Sequence, residues 1–438
     1  MKYSANIKKI DLFKLSIPIF FSNLALPLVG IVDTALMGHL NSTKFLAAIS
    51  ISTSVMTMIL WSFGFLRMGT VGLISQALGK GDYREISLII SRYFVFAIII
   101  SLIIILLKPT IISAINFFFS PSLETFKLIN EYISIRVFSA PAELAIYILV
   151  GFYLGIQKTN ISSLLIIIFS ILNILLSIFF VIHMNLGLYG VALGTVLAAY
   201  LTVIPFTFYT YFLIKNKFNA ILKIKRLFIK SKFIKLLNIN YNIFIRTLLL
   251  TFSFLWITYQ GSKFGEDYLA MNNILIQFII LSSFFLDAYA FATEGVIGFA
   301  IGRRSEKTFL KAVKNSIQLS FYTGLFISLI YIFSFKLIIN IITDLDILRY
   351  LSYGYIFWII IIPPLASFCY QFDGIFIGAS QTSEMRNAMI ISVVSFITLS
   401  IYFIEQFGNH GLWFSLVLFM IFRFLTLYFY FPRIMKKF

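Results

Sequence analysis

The acids best placed to do chemistry in this 438-residue sequence stand inside apolar runs. Asp33 lies within IPIFFSNLALPLVGIVDTALMGHL, and Asp287, Glu294 and Asp373 occupy comparable runs in the second half. An ionised Asp at mid-bilayer costs roughly 2.5–3.5 kcal/mol on translocon scales. Such a group must face a cavity, hold an ion or a proton, or pair with a base. No base lies near Asp33 in its own helix, which favours ion or proton binding over a simple tie between helices. Asp287 and Glu294 are seven residues apart and share one helix face. With Asp373, they either line a cavity that attracts cations or pair with buried Arg67, Arg136, Arg246 or Arg423. Arg67 with Asp287 or Glu294 is an expected pair between the two halves of the chain. Glu143, beside Pro141, has no assigned role. Pro18 and Pro27 each remove a hydrogen bond from the helix that carries Asp33 and so permit it to bend.

Other chemistry lacks the residues it needs. One cysteine, Cys369, excludes an intramolecular disulfide and a thiolate metal cluster. His39, His183 and His410 are scattered, with no HExxH pattern, so no metal or cofactor is expected. There is no GxxxxGKT loop for ATP. The net charge of +18 would suggest nucleic acid in a water-soluble chain. Here no nucleic acid is expected, because basic residues collect in cytoplasmic loops of membrane proteins.

The elements that position these residues are membrane helices. Hydrophobic residues make up 60% of the sequence and charged residues 12%, against roughly 25% charged in soluble chains. At about 20 apolar residues per span, this suffices for a dozen helices and little else. The runs predict spans at 12–37, 45–70, 88–114, 128–156, 161–183, 187–214, 241–262, 268–298, 315–342, 350–378, 387–406 and 410–432. The first is expected to be retained rather than cleaved as a signal peptide. The aromatics mostly face lipid or core; Met37, Met56, Phe63, Tyr259 and Tyr289 are candidates to hold flat cations.

The longest polar break, KNKFNAILKIKRLFIKSKFIKLL, carries Lys215, Lys217, Lys223, Lys225, Arg226, Lys230, Lys232 and Lys235 and no acid. Its apolar spacing suits a helix lying on an anionic leaflet. GKGDYRE, GRRSEK and PRIMKK fall on the same side, whereas GSKFGEDY and TDLDIL, opposite, are balanced or acidic. Both termini and the central break are therefore expected in the cytoplasm. The break also separates two copies of one unit. An offset of 223 residues pairs Thr70, Gly72, Ala77 and Gly79 with Thr293, Gly295, Ala300 and Gly302. It also pairs Pro141, Gly151, Gly155 and Thr159 with Pro364, Gly374, Gly378 and Thr382. Six helices per copy give parallel repeats: a bundle at 1–214, a basic linker at 215–240 and a second bundle at 241–438.

At this point a family resemblance is plain. PLVGIVDTALMGHL and LAAISISTSVMTMILWSFGFLRMGTVGLISQALGKGD, with FFLDAYAFATEGVIGFAIGRR and FDGIFIGASQTSEMRNAMI, resemble multidrug and toxic compound extrusion (MATE) transporters. The branch they resemble is the one typified by the DNA-damage-inducible protein F. The resemblance implies an all-α membrane protein, with twelve helices in two six-helix lobes around a central cleft. It implies that Asp33 is the first-helix carboxylate that binds the coupling proton or sodium ion. It implies too that Asn173 and Thr195 complete that site and that Pro18 is the hinge of the bending helix. Where the family commonly carries a second Asp, this chain has Ser177, and a hard cation wants several charged or carbonyl oxygens. Proton coupling is therefore expected over sodium.

The implied function is a secondary antiporter exporting amphipathic, cationic organic compounds from the cell. It is expected as a monomer in the inner membrane, with the lipid bilayer and a small organic molecule as its partners. A lipid or lipid-linked oligosaccharide flippase is the nearest alternative, but it would favour a cationic cleft for a pyrophosphate head. An intramembrane prenyltransferase would need clustered carboxylates for magnesium diphosphate, and no such motif is present.

Overall fold

The computed structural model describes residues 8–40, 42–218 and 227–438, apart from the Lys217 side chain. Of the longest basic stretch, Lys223, Lys225 and Arg226 lie outside the described residues. The chain is helical, with no strand among the described residues. In order the helices are α1 (Lys9–Gly38), α2 (Thr43–Trp61), α3 (Phe65–Lys80), α4 (Tyr83–Leu106), α5 (Lys108–Phe119), α6 (Leu123–Arg136), α7 (Ala140–Gly155) and α8 (Thr159–Ile178). There follow α9 (Gly187–Phe218), α10 (Lys230–Ser262), α11 (Glu266–Gly302), α12 (Glu306–Ile342), α13 (Asp346–Tyr353), α14 (Ile356–Gly378), α15 (Thr382–Phe407) and α16 (Asn409–Met435). A 3₁₀ turn, Val137–Ser139, joins α6 to α7, and a π-helical turn, Phe179–His183, ends α8.

Twelve helical stretches among the described residues are long and apolar enough to cross a membrane. Two are composite, α2 with α3 and α6 with α7. The break at Ser62–Gly64 shows why an apolar run need not be one helix. Ser62 Oγ donates back to the Met58 carbonyl, and Gly64 leads into the next helix. That oxygen already accepts the Ser62 N–H, and a hydroxyl bonding back four residues in this way often bends a helix.

By internal contact the chain forms two compact units. One is Phe21–Leu237; the other takes the start of the chain through Phe20 together with Asn238–Phe438. The division falls inside α1 and inside α10. α10 starts at Lys230, within the stretch expected as a surface linker, and runs unbroken to Ser262. Its first turns belong to the first unit. Arg92 Nε donates to the Leu227 carbonyl at 3.0 Å, and Glu85 accepts from both Arg92 (3.1 Å) and Lys232 (3.4 Å).

The glycines of the internal repeat recur because each unit contains the same close helix crossing. A Cβ on Gly151 of α7 would meet the Arg67 carbonyl of α3 at 2.6 Å; one on Gly374 of α14 would meet the Ala290 carbonyl of α11 at 2.7 Å. A Cβ on Gly155 would meet Ile74 as one on Gly378 would meet Ile297, each at 3.0 Å. Ala290 and Ile297 are Arg67 and Ile74 displaced by 223 residues, so the repeat is a repeat of contacts. Gly374→Val is expected to destabilise by at least about 1–3 kcal/mol, because backbone cannot yield as a side chain can. Gly30→Ala, where nothing lies within 4 Å, is expected to be neutral or slightly stabilising. Thermal unfolding of the two detergent-solubilised variants checks this; equal melting temperatures would refute the close-contact account.

In the second unit, Pro363 and Pro364 lie inside α14. Pro364 has no N–H for the Ile360 carbonyl four residues back, and Ser328 Oγ of α12 donates to that oxygen at 2.6 Å. Asn272 and Asn409 exchange amide hydrogen bonds at 2.8 and 3.0 Å, and Trp413 Nε1 donates to Asn272 Oδ1 at 2.8 Å. These buried bonds tie α11 to α16 amid an aromatic and aliphatic core that includes Phe278, Phe335, Phe396 and Phe419.

Candidate functional site

In the first unit α1, α8 and α9 bring four side chains together. Gly194 makes this possible: a Cβ there would lie 2.9 Å from the Ser177 nitrogen, so α9 runs against the backbone of α8. One residue on, Thr195 Oγ1 accepts from Asn173 Nδ2 at 3.1 Å and donates to the Val191 carbonyl at 3.1 Å. Asn173 Oδ1 accepts from Ser177 Oγ at 3.3 Å. Asn173 and Ser177 are one helical turn apart and both buried. The π turn Phe179–His183 follows directly, a local distortion that often accompanies functional sites.

Asp33 completes the group. Its side chain is 5% exposed and is within hydrogen-bonding reach of Ser177. Its Oδ1 is buried with no hydrogen-bond partner among the described residues. A buried carboxylate oxygen without a donor is expensive unless something binds it. A bound proton removes the charge, which is the costly part of that burial. The four residues singled out from the sequence thus form one connected group.

A second set in the same unit pairs Glu143, which had no assigned role, with Arg136, which was a candidate partner for the acids of the second half. Arg136, at the end of α6, pairs with Glu143 of α7 and donates to Ser139 Oγ across the 3₁₀ turn. The signal was the seven-residue spacing of Arg136 and Glu143, which spans two turns if α6 and α7 are read through.

Pro18 is the tenth residue of α1, counting from Lys9, so it is an interior proline rather than a helix start. The boundary between the compact units falls two residues beyond it, between Phe20 and Phe21. On the second-unit side, Phe20 meets Phe285 at 4.3 Å between ring centroids. On the first-unit side, Ser22 Oγ donates to Ser163 Oγ of α8 at 3.3 Å.

The acids of the second unit differ among themselves. Asp373 Oδ2 is shared by Arg246, and by Arg423 at 2.6 Å, and all three residues are buried. Glu294 is 1% exposed, and Asp287 is half-buried near Tyr370. Arg67 is buried in the first unit. Of the proposed cation-holding side chains, Met37 and Met56 are fully buried core, whereas Tyr259 is exposed with Lys263 4.4 Å over its ring.

Comparison with known proteins decides the family. The family model described as MatE matches residues 18–179 and again residues 243–404. The chain belongs to the MatE family. The resemblance read from the motifs is thereby borne out, and the two matches, one in each half, restate the internal repeat. Among MatE relatives, DNA damage-inducible protein F of Escherichia coli is 32% identical over 416 residues, which is 95% of this chain and 90% of that protein. Multidrug export protein MepA of Staphylococcus aureus is 23% identical over 312 residues, 70% of this chain and 68% of the relative. A crystal structure of MATE in the straight conformation superposes with a TM-score of 0.88 over 98% of this chain and 96% of that one, at 19% identity. An outward-facing multidrug resistance MATE family transporter gives a TM-score of 0.87 at 18% identity, over 98% and 96% of the two chains. At that identity the likeness carries the MatE fold; the site rests on this chain's own geometry.

Proposed function

We propose that this protein is a proton-driven secondary exporter of amphipathic, cationic organic compounds, with Asp33 carrying the coupling proton. The observation that carries the reading is the buried Asp33 carboxylate whose Oδ1 has no hydrogen-bond partner among the described residues. The group around it is otherwise neutral: Asn173, Ser177 and Thr195 offer amide and hydroxyl atoms already engaged with one another. A proton needs one basic oxygen. A sodium ion wants more oxygen charge than one carboxylate supplies. The names of the relatives, an export protein among them, support efflux as the direction of transport.

In this reading two lobes, 1–214 and 241–438, joined by the basic stretch 215–240, alternate access across the cell inner membrane in a monomer. The basic stretches support a cytoplasmic position for both termini. Protonation of Asp33 changes how α1 sits against α8, and Pro18, whose missing N–H leaves the Lys14 carbonyl without its helical partner, is where α1 yields. Asp287, Glu294 and Arg67 are assigned to the substrate cleft and its charge balance.

Ser177→Asp tests the proton assignment. It adds a second carboxylate beside Asp33, and two close carboxylates repel unless a cation sits between them. Efflux by the variant is expected to become stimulated by sodium, at least about severalfold, while the unmodified protein is indifferent to it. Strong sodium stimulation of the unmodified protein would overturn the assignment.

A further inference from the structure

We propose that the first unit holds a binding site for the phosphate of an anionic phospholipid head group, at the junction of α3, α4 and α10. The proposal is independent of the role of Asp33. The site is a cavity of about 140 Å³ lined from the end of α3, the start of α4 and the start of α10. Gly81 ends α3 in the left-handed conformation, at φ 72°, and Asp82 then caps α4 by accepting the Glu85 N–H at 3.0 Å. Lys80, Asp82, Glu85 and Arg92 line the cavity from this corner, and Lys232 and Lys235 line it from α10. The four cations and two acids leave the lining with a net charge of +2.

The charges are unequally matched. Glu85 already serves Arg92 and Lys232, and Asp82 is engaged at the cap of α4. Lys80 and Lys235 make no ion pair among the described residues. Arg92 is only 3% exposed and is held by Glu85 and by the Leu227 carbonyl, so the wall contains a fixed, buried guanidinium as well as mobile lysines. The size excludes a drug-like occupant, since pockets that enclose small organic ligands run to roughly 300–1,000 Å³. A phosphate group with a few waters fits. The surface beside the cavity selects a lipid over a free anion. Phe228, Ile229, Ile234 and Leu237 are exposed and interleave with Lys230, Lys232 and Lys235. Apolar side chains alternating with cations suit the boundary between head groups and acyl chains. The stretch expected to lie on an anionic leaflet thus closes a discrete site against α3 and α4.

The test separates a site from the diffuse charge that the positive-inside rule leaves in basic loops. Purified protein in detergent is titrated with phosphatidylglycerol or with phosphatidylcholine, and bound lipid is counted by native mass spectrometry. One phosphatidylglycerol is expected to bind saturably, at least about tenfold more tightly than phosphatidylcholine. Lys80→Gln/Lys235→Gln is expected to weaken that binding by about tenfold or more, since each lysine beside an anionic head group contributes to it. Both lysines are exposed, so the variant is expected to keep its melting temperature. Should it melt early, the single changes Lys80→Gln and Lys235→Gln read the same affinity with smaller losses. Lys307→Gln/Lys436→Gln removes as much charge from exposed residues outside the cavity, and is expected to change the affinity by less than about twofold, because distant surface charges are screened. Inorganic phosphate is expected not to displace the lipid. Equal affinity for the two lipids, equal losses in the two double variants, or displacement by inorganic phosphate would overturn the proposal.

Discussion

Asp33→Asn is expected to reduce gradient-driven efflux to the level of vesicles without protein, while the purified variant melts within a few degrees of the unmodified chain. The two halves of this expectation have separate causes. Asn keeps the size of Asp, so packing among α1, α8 and α9 survives. The carboxylate carries an unpartnered buried oxygen, and neutralising a costly group of this kind does not by itself unfold a membrane helix. What disappears is the carboxylate within hydrogen-bonding reach of Ser177 in the Asn173–Ser177–Thr195 set. Efflux assays in everted vesicles, with thermal unfolding of the same preparation, check both parts. Efflux at the unmodified rate would take Asp33 out of the mechanism.

Asp373→Asn is expected to have the opposite profile: a large loss of stability, about 3–5 kcal/mol, the range for breaking a buried ion pair by removing one partner. Here one carboxylate oxygen serves two guanidinium groups, those of Arg246 and Arg423. Both arginines already have a buried Nε without a hydrogen-bond partner, so they have little else to fall back on. Arg423 also lies over the rings of Tyr370 and Phe419, which fixes its place but cannot replace the charge. Replacing all three together, Arg246→Met/Asp373→Leu/Arg423→Met, is expected to recover most of the stability, because no unpaired charge remains. Thermal unfolding in detergent decides. An Asp373→Asn variant as stable as the unmodified chain would mean that Asp373 is not the anchor of this cluster, and would leave it as an acid lining a cavity that attracts cations.

The difference between Asp33 and Asp373 marks what the sequence reveals and what it conceals. Both are acids in apolar runs, and nothing local separates them. The partners of Asp373 are 127 residues upstream and 50 residues downstream, a pairing that only tertiary structure brings about. Asp33 was legible because its run has no base and because the motif around it resembles a known family. The membrane helices were legible because span length follows from bilayer thickness. The breaks at Ser62–Gly64 and Val137–Ser139 were not, because the apolar run continues through them and a bend changes direction without changing composition. For the same reason Arg136 reads as a candidate partner for second-half acids rather than for Glu143. The repeat was legible in its glycines and prolines, since a close helix crossing tolerates few other residues at those positions.

The central claim is that proton flow through Asp33 powers export, and one measurement meets it directly. Purified protein in proteoliposomes is given a proton gradient or a sodium gradient, each imposed independently, and the movement of ethidium as a lipophilic cation is followed. The proton gradient alone is predicted to drive ethidium transport, with the sodium gradient alone matching the protein-free control. Transport driven by the sodium gradient, with the proton gradient collapsed by an ionophore, would contradict the account.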